Sequence, residues 1–300
     1  ASFPYFQKSW ERWFIFPIPQ LEVNTKKMKK SKSQSLRMLF PFKQLALRSL
    51  TFATFAACGT VTAAPMQLEV TIVNLASDNS VSFAPLHVGF HNGTFDAFNN
   101  GQAAGAAITS VAEGGSGNVW QADFAAIDPT ATRGTIGGAL TPGDSVSQTF
   151  TVDPSTNVFF TFASMVIPSN DLFIGNNTPI RLFDDAGNLL ISEIDQRASD
   201  IWDNGSEVSD PANAAFIVGG NNDLRTPEND VISFNFDELN AFNGLTTAAN
   251  YVFNNNLTAN DVVYRIQIRD VTQVPEPGTL ALLGLGFVGL ALRRRVTGKI

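Results

Sequence analysis

The segment SMVIPSNDLFIG, residues 164–175, joins two apolar stretches through a short polar one. An apolar run at 158–167 meets Pro168. Because proline cannot donate a hydrogen bond to a strand ladder, this strand is predicted to end there. Three residues with oxygen-bearing side chains, the last of them Asp171, form a tight turn before residues 172–174 return to the core. An acidic side chain held between two apolar anchors suits a cation site at the rim of a β-sandwich.

The flanking sequence predicts an all-β fold. Residues 66–75 alternate cleanly, with Leu68, Val70 and Ile72 on one face, as in a half-buried strand. Roughly ten such strands with turn signals between them are typical of an antiparallel β-sandwich, predicted here over residues 66–271. The strands are predicted at 66–75, 81–90, 118–124, 145–152, 157–167, 181–183, 189–192, 214–218, 231–236 and 262–271, with a short helical turn at 106–113.

The predicted sandwich is strongly acidic. Residues 65–274 contain 24 Asp and Glu, six Arg and no Lys, a net charge of −18. Nucleic-acid binding needs Lys and Arg against phosphates, so nucleic acid is not an expected partner. The single cysteine, Cys58, lies before this region, so the sandwich forms no internal disulfide and no thiolate metal site. The acidity suits either cation binding or solubility alone.

The N-terminal region has the pattern of a targeting segment. Residues 1–27 are aromatic and proline-interrupted, and we interpret them as an over-translated leader, with the start at Met28 or Met38. A basic segment, a short apolar run and small residues follow, which predicts a secretory signal peptide at 28–64. A rival interpretation is a lipoprotein signal, in which Cys58 is lipidated.

The C-terminal segment, 272–300, has three parts in a fixed order. A Pro-Glu-Pro sequence precedes an apolar run at 280–292 that is short for a membrane span, and a cluster of arginines follows it. The positive-inside rule places that cluster in the cytoplasm. The segment resembles the PEP-CTERM sorting signal of Gram-negative bacteria that make exopolysaccharide. The residues that carry the resemblance are Pro275, Glu276, Pro277, Arg293, Arg294 and Arg295.

The PEP-CTERM resemblance implies a route and a partner. An exosortase-type membrane enzyme would recognise the tail and remove it. The protein would be held transiently in the inner membrane by a C-terminal hydrophobic helix. It would then reach the cell surface or the extracellular matrix, where exopolysaccharide or surface proteins are the expected partners.

Two further carboxylates join Asp171 as candidate metal ligands. Asp203 and Glu207 flank an Asn-Gly pair, and a turn there would fold their side chains toward each other. Three carboxylates together with carbonyl oxygens suit a hard cation, calcium above all, whereas zinc would prefer His or Cys. The alternative is that these acidic loop residues are simply solvated.

Three segments resemble those of spondin-type domains. PSNDLFIG at 168–175 is similar to the family's Pro-Ser-Pro-Asp-Trp-Phe-Val-Gly, and WDNGSE at 202–207 to its Trp-Asp-Ala-Gly-Thr-Asp. Upstream, Phe98, Gly101, Ala104 and residues 111–114 resemble its Gly…Ala-Ser…Ala-Glu-x-Gly region. The resemblance implies a calcium-binding β-sandwich of adhesion and matrix proteins, akin to calcium-dependent lipid-binding sandwiches. It carries the calcium ligands over to Asp171, Asp203 and Glu207.

The expected function is therefore a non-enzymatic, calcium-binding adhesion or interaction module. His87 and His91, the two histidines, are expected to be structural, and no Gly-x-Ser-x-Gly elbow supports a hydrolase triad. Two alternatives stay open at this point. One is a secreted structural protein without metal, and the other is a hydrolase that uses paired carboxylates on a matrix polysaccharide.

Overall fold

The structure is a computed structural model that describes residues 64–272. The predicted leader, residues 28–63 of the predicted signal peptide and the tail from residue 273 onward, with its apolar helix, lie outside the described residues. Within 64–272, no helix has both the length and the apolar character that crossing a membrane requires. The elements are β1 (Met66–Asn74), β2 (Ser82–Phe83), β3 (Leu86–His91), α1 (Ala106–Gly114), α2 (Asn118–Ile127), β4 (Thr132–Ile136), β5 (Ser145–Val152), β6 (Phe159–Ile167), β7 (Leu172–Gly175), β8 (Ile180–Arg181), β9 (Glu193–Arg197), β10 (Trp202–Asp203), β11 (Ser233–Phe234) and β12 (Val262–Asp270), with 3-10 helices at Ala198–Asp200 and Phe236–Phe242.

Two antiparallel sheets enclose the main core. The smaller sheet has the order β5-β1-β12-β9, and the larger has β11-β10-β7-β6-β3-β4, with β2 and β8 also paired to β6. In β1, Leu68, Val70 and Ile72 are fully buried and alternate with half-buried residues, as the sequence predicted. Residues of both sheets form one hydrophobic cluster. The prediction of a mainly antiparallel all-β sandwich is confirmed.

A helical layer covers part of the larger sheet. Nearly every residue of β6 is buried, because Phe160 and Phe162 belong to the core between the sheets while Ala163 belongs to a second cluster on the other face. Helices α1 and α2 supply much of that second cluster. Its members are Phe95, Phe98, Ala107, Ile108, Val111, Ala112, Trp120, Phe124, Ala163, Phe173, Trp202 and Ile232.

The structure corrects several predicted elements. The predicted strand at 118–124 is wrong, since this segment belongs to helix α2, where Trp120 and Phe124 lie one turn apart and are both fully buried. The predicted strand at 81–90 is divided into β2 and β3. Residues 189–192 and 214–218 form isolated bridges instead of strands, and β4 and β9 were not predicted. The helical turn at 106–113 is confirmed as α1.

Candidate metal centre

Asp171 lies in a buried turn between β6 and β7. Strand β6 ends at Ile167, immediately before Pro168, as predicted. The hydroxyl of Ser169 accepts a hydrogen bond from the backbone N–H of Leu172 at 3.2 Å, which closes the turn. The side chain of Asp171 is fully buried. The carboxylate is thus fixed on the sandwich rather than carried on a solvated loop.

Asp203 is brought beside Asp171 by strand pairing and by the turn that follows it. Strand β10 pairs with β7 so that Asp203 lies opposite Leu172. The next turn donates hydrogen bonds to both carboxylates, from Gly205 N to Asp203 Oδ1 at 2.7 Å, and from Ser206 N and Glu207 N to Asp171 Oδ2 at 2.9 and 3.0 Å. Gly205 has a φ of +64°, and a Cβ there would lie 2.8 Å from the main chain of Asp230.

Glu238 is the third member of the acidic group. It lies in the 3-10 helix Phe236–Phe242, and ligand oxygens of Asp171, Asp203 and Glu238 all lie within 4.8 Å of one another. The Asn235 amide donates hydrogen bonds to Glu238 Oε1 at 2.9 Å and to Asp203 Oδ2 at 3.4 Å. Sequence reasoning missed Glu238, because no pattern distinguishes it from the other acidic residues of the chain.

Glu207, the third ligand expected from sequence, lies outside this group. Its Oε1 accepts a hydrogen bond from the Asn170 amide at 3.2 Å, and its Oε2 lies 3.3 Å from Arg225 Nε. That second contact is within ion-pair distance but lacks hydrogen-bond alignment. Arg225 Nε also donates to Glu113 Oε2 at 2.9 Å. The structure therefore brings together two of the three expected carboxylates and directs the third toward a guanidinium.

Burial and mutual repulsion disfavour ionisation of the whole acidic group. Burial, together with the charge of Asp203, raises the pKa of Asp171 to about 7. Burial and the charges of Asp203 and Asp171 raise the pKa of Glu238 to about 8. Among the residues that the structure describes, none donates a hydrogen bond to the buried Asp171 Oδ1. Ionising this group without a counter-charge is costly, and a cation would remove that cost.

The donor set fits a hard divalent cation. Calcium binds carboxylate and other oxygens at about 2.3–2.6 Å, so two oxygens as much as about 4.8 Å apart can contact the same ion. Three carboxylates would supply the charge, and Asp171 Oδ1 is an oxygen whose other hydrogen-bonding needs are not met by the described residues. Neither histidine joins the group. His87 bonds to Thr135 and Gly115, and His91 bonds to Thr161 and Gly93.

Comparison with known proteins identifies the C-terminal segment. Residues 273–295 match the family model of the PEP-CTERM protein-sorting motif. The match includes Pro275, Glu276 and Pro277 and the arginine cluster at 293–295, so the prediction of this sorting motif is confirmed. A search of curated proteins gives no match to the chain. The chain is thus a β-sandwich that carries an export-linked sorting signal, and that signal implies recognition by an exosortase-type enzyme at the cell envelope.

Proposed function

We propose that the sandwich is a calcium-binding interaction module of the spondin type, displayed at the cell surface or in the extracellular matrix. The observation that carries the proposal is the buried group of Asp171, Asp203 and Glu238, in which Asp171 Oδ1 lacks a donor among the described residues. Calcium would fix the loops that hold these three residues. In this proposal Glu238 replaces Glu207 as the third carboxylate ligand.

Contacts among the three spondin-like segments support the same proposal. Phe98 of the upstream segment lies 4.9 Å from the Phe173 ring and 5.1 Å from the Trp202 ring, measured between ring centroids. Ser206 lies between the other parts of these segments, because its hydroxyl is 2.8 Å from Glu113 Oε1 and 3.1 Å from Asp171 Oδ2. Segments that are far apart in the chain therefore converge around the acidic group.

The proposed role is binding rather than catalysis. A glycosidase needs two carboxylates that flank a bound sugar, with space for the sugar between them. Asp171 is fully buried, and Asp203 is 7 % exposed. Such carboxylates suit ligation of a small ion better than contact with a polysaccharide. Exopolysaccharide or a surface protein would then be a binding partner, met through the loops that calcium orders.

Calorimetric titration of the purified chain with calcium tests this proposal. We expect saturable binding of one ion, with much weaker binding of magnesium, which requires a stricter octahedral site. Loss of a residue that only supports a metal ligand typically weakens affinity about 10–100-fold, so Glu238→Gln, which removes a ligand, should weaken it at least that much. Glu207→Gln should have a smaller effect, and the exposed Asp223→Asn is the matched control.

Three results would contradict parts of the proposal. If millimolar calcium produces no heat and no stabilisation, the chain is a structural protein without this metal. If Glu207→Gln abolishes binding while Glu238→Gln does not, the ligand set is that of the sequence resemblance. Release of reducing sugar from purified exopolysaccharide would instead favour the hydrolase.

A further inference from the structure

Both ends of the described chain leave the sandwich at the same end. Strands β1 and β12 are antiparallel neighbours, and Leu68 pairs with Asp270. Beyond that pair, Val271 N donates to Gln67 O and Gln67 N donates to Thr272 Oγ1, both at 2.8 Å. Residues 66–67 and 271–272, which adjoin the predicted signal-peptide junction and the sorting motif in sequence, therefore lie next to each other. We call this the tether end of the sandwich.

The acidic group lies at the opposite end. Arg197, the last residue of β9, pairs with Val262, the first residue of β12, and Asp203 follows six positions later in the chain. In the larger sheet, Ile167, the last residue of β6, pairs with Ser82. Asp171 follows Ile167 four positions later in the chain. Asn74, the last residue of β1, lies at the same end, where its side-chain amide donates a hydrogen bond to Val81 O at 2.9 Å. We call this the far end.

The separation of the two ends follows from strand length. Strand β12 has nine residues, which at about 3.3 Å each gives a distance of roughly 27–30 Å between the ends. Seven residues lie between Thr272 and Leu280, where the apolar run of the sorting motif begins. Eight Cα–Cα steps separate Thr272 from Leu280, and fully extended they reach at most about 29 Å. The tether is therefore about as long as the sandwich, so turning the body over to place its far end on the bilayer would require the tether to be fully extended along the whole body.

Charge favours an orientation in which the tether end faces the membrane and the far end points away from it, over one in which the sandwich lies on its side on the membrane. The exposed carboxylates Asp78, Glu228, Asp230 and Asp261 make the far end negative, and bilayers that contain anionic lipids repel it.

We propose that, while the sorting tail holds the protein in the membrane, the sandwich stands on its tether end and presents the far end away from the bilayer. Ligands of the far end then come from outside the membrane, and the lipid headgroups of the holding membrane are excluded. The proposal depends on strand order and the sorting motif, and it holds whether or not the acidic group binds calcium.

Energy transfer to labelled lipid tests this orientation. The full chain, with Cys58→Ser, would be reconstituted into phosphatidylethanolamine–phosphatidylglycerol vesicles that carry an acceptor dye on the headgroups. A donor dye would be attached to Thr151→Cys at the tether end or to Ala259→Cys at the far end. Both positions are exposed. Thr151 lies at the tether end because it pairs with Gln67, and Ala259 lies at the far end, where its carbonyl accepts a hydrogen bond from Ser199 N just after β9.

We expect severalfold more transfer from position 151 than from position 259, in calcium and in chelator alike. Truncation after Thr272 should reduce both signals to background, which would show that proximity depends on the tail. Equal transfer from the two positions would mean that the body lies on its side. Greater transfer from position 259 would mean that the far end meets the bilayer. Either result overturns the proposal without bearing on calcium binding.

Discussion

Asp171→Asn should stabilise the calcium-free protein at neutral and alkaline pH. The fully buried carboxylate has its pKa raised from the ordinary 3.8 to about 7 by burial and by the charge of Asp203. One pKa unit corresponds to about 1.4 kcal/mol, so keeping Asp171 ionised above pH 7 costs on the order of 4 kcal/mol of folding free energy. The asparagine carries no charge, and its carbonyl oxygen can still accept the bonds from Ser206 and Glu207.

The sign of the pH dependence follows from the raised pKa. A carboxyl group whose pKa is higher in the folded state binds protons more tightly when folded, so the contribution of Asp171 to stability is greatest below about pH 4 and is lost as the pH rises to about 7. Asp171→Asn lacks that loss. We therefore expect the variant to be more stable by about 2–4 kcal/mol at pH 8, with the difference shrinking toward pH 4.

Urea unfolding in chelator at several pH values measures this difference, with the free energy extrapolated linearly to water. The exposed Asp223→Asn should show no such gain. Calcium at about 100 times its dissociation constant should remove most of this difference, because it stabilises only the wild type, by about 2.7 kcal/mol. If Asp171→Asn is no more stable than wild type in chelator at pH 8, Asp171 is not the uncompensated buried charge inferred here.

Three further perturbations probe the turn, a buried histidine and the neighbouring ion pair. Gly205→Ala should lower the unfolding free energy by about 1–3 kcal/mol and weaken calcium binding, because φ at this position is +64° and the added Cβ would clash with the main chain of Asp230. Gly143→Ala is the control, since φ there is +84° but no atom lies within 4 Å of the added Cβ, so only the backbone strain should appear. Burial lowers the pKa of His91 from 6.5 to about 4. The wild type should therefore lose up to about 3 kcal/mol of unfolding free energy as the pH falls from 6.5 to 4, and His91→Gln should not show this loss. Parallel pH profiles of urea unfolding for the two proteins would contradict this. Arg225→Gln should cost about 1–2 kcal/mol in urea unfolding, since it leaves the buried Glu207 carboxylate without its cation, and an unchanged midpoint would mean that the pair contributes nothing.

Local rules predicted the parts of the site that depend on neighbouring residues. Pro168 ends β6, which places Asp171 at a strand end between buried segments. The Asn204-Gly205 pair forms the expected turn, and this turn donates hydrogen bonds to Asp171 and Asp203. These features were predictable because they depend on backbone geometry over a few residues.

Helix α2 shows where local pattern was insufficient. Its sequence reads equally as a short strand, but the second face of the larger sheet needs cover at β3, where the Phe124 ring packs over Gly89, and a helix brings Trp120 and Phe124 together there. Burial of the sheet, rather than the propensity of residues 118–127, therefore selected the helix.

The sequence was sufficient to predict most of the sandwich strands, the position of Asp171 at the close of β6, the acidic character of the body and the sorting motif after Thr272. Which carboxylates share a site depends on the packing of the folded chain. It brings in Glu238 from a 3-10 helix 35 positions beyond Asp203, and it directs Glu207 to Arg225. The physical reason is that carboxylates are grouped by how the elements that carry them pack, and residues far apart in the chain have no spacing rule that reveals such contacts.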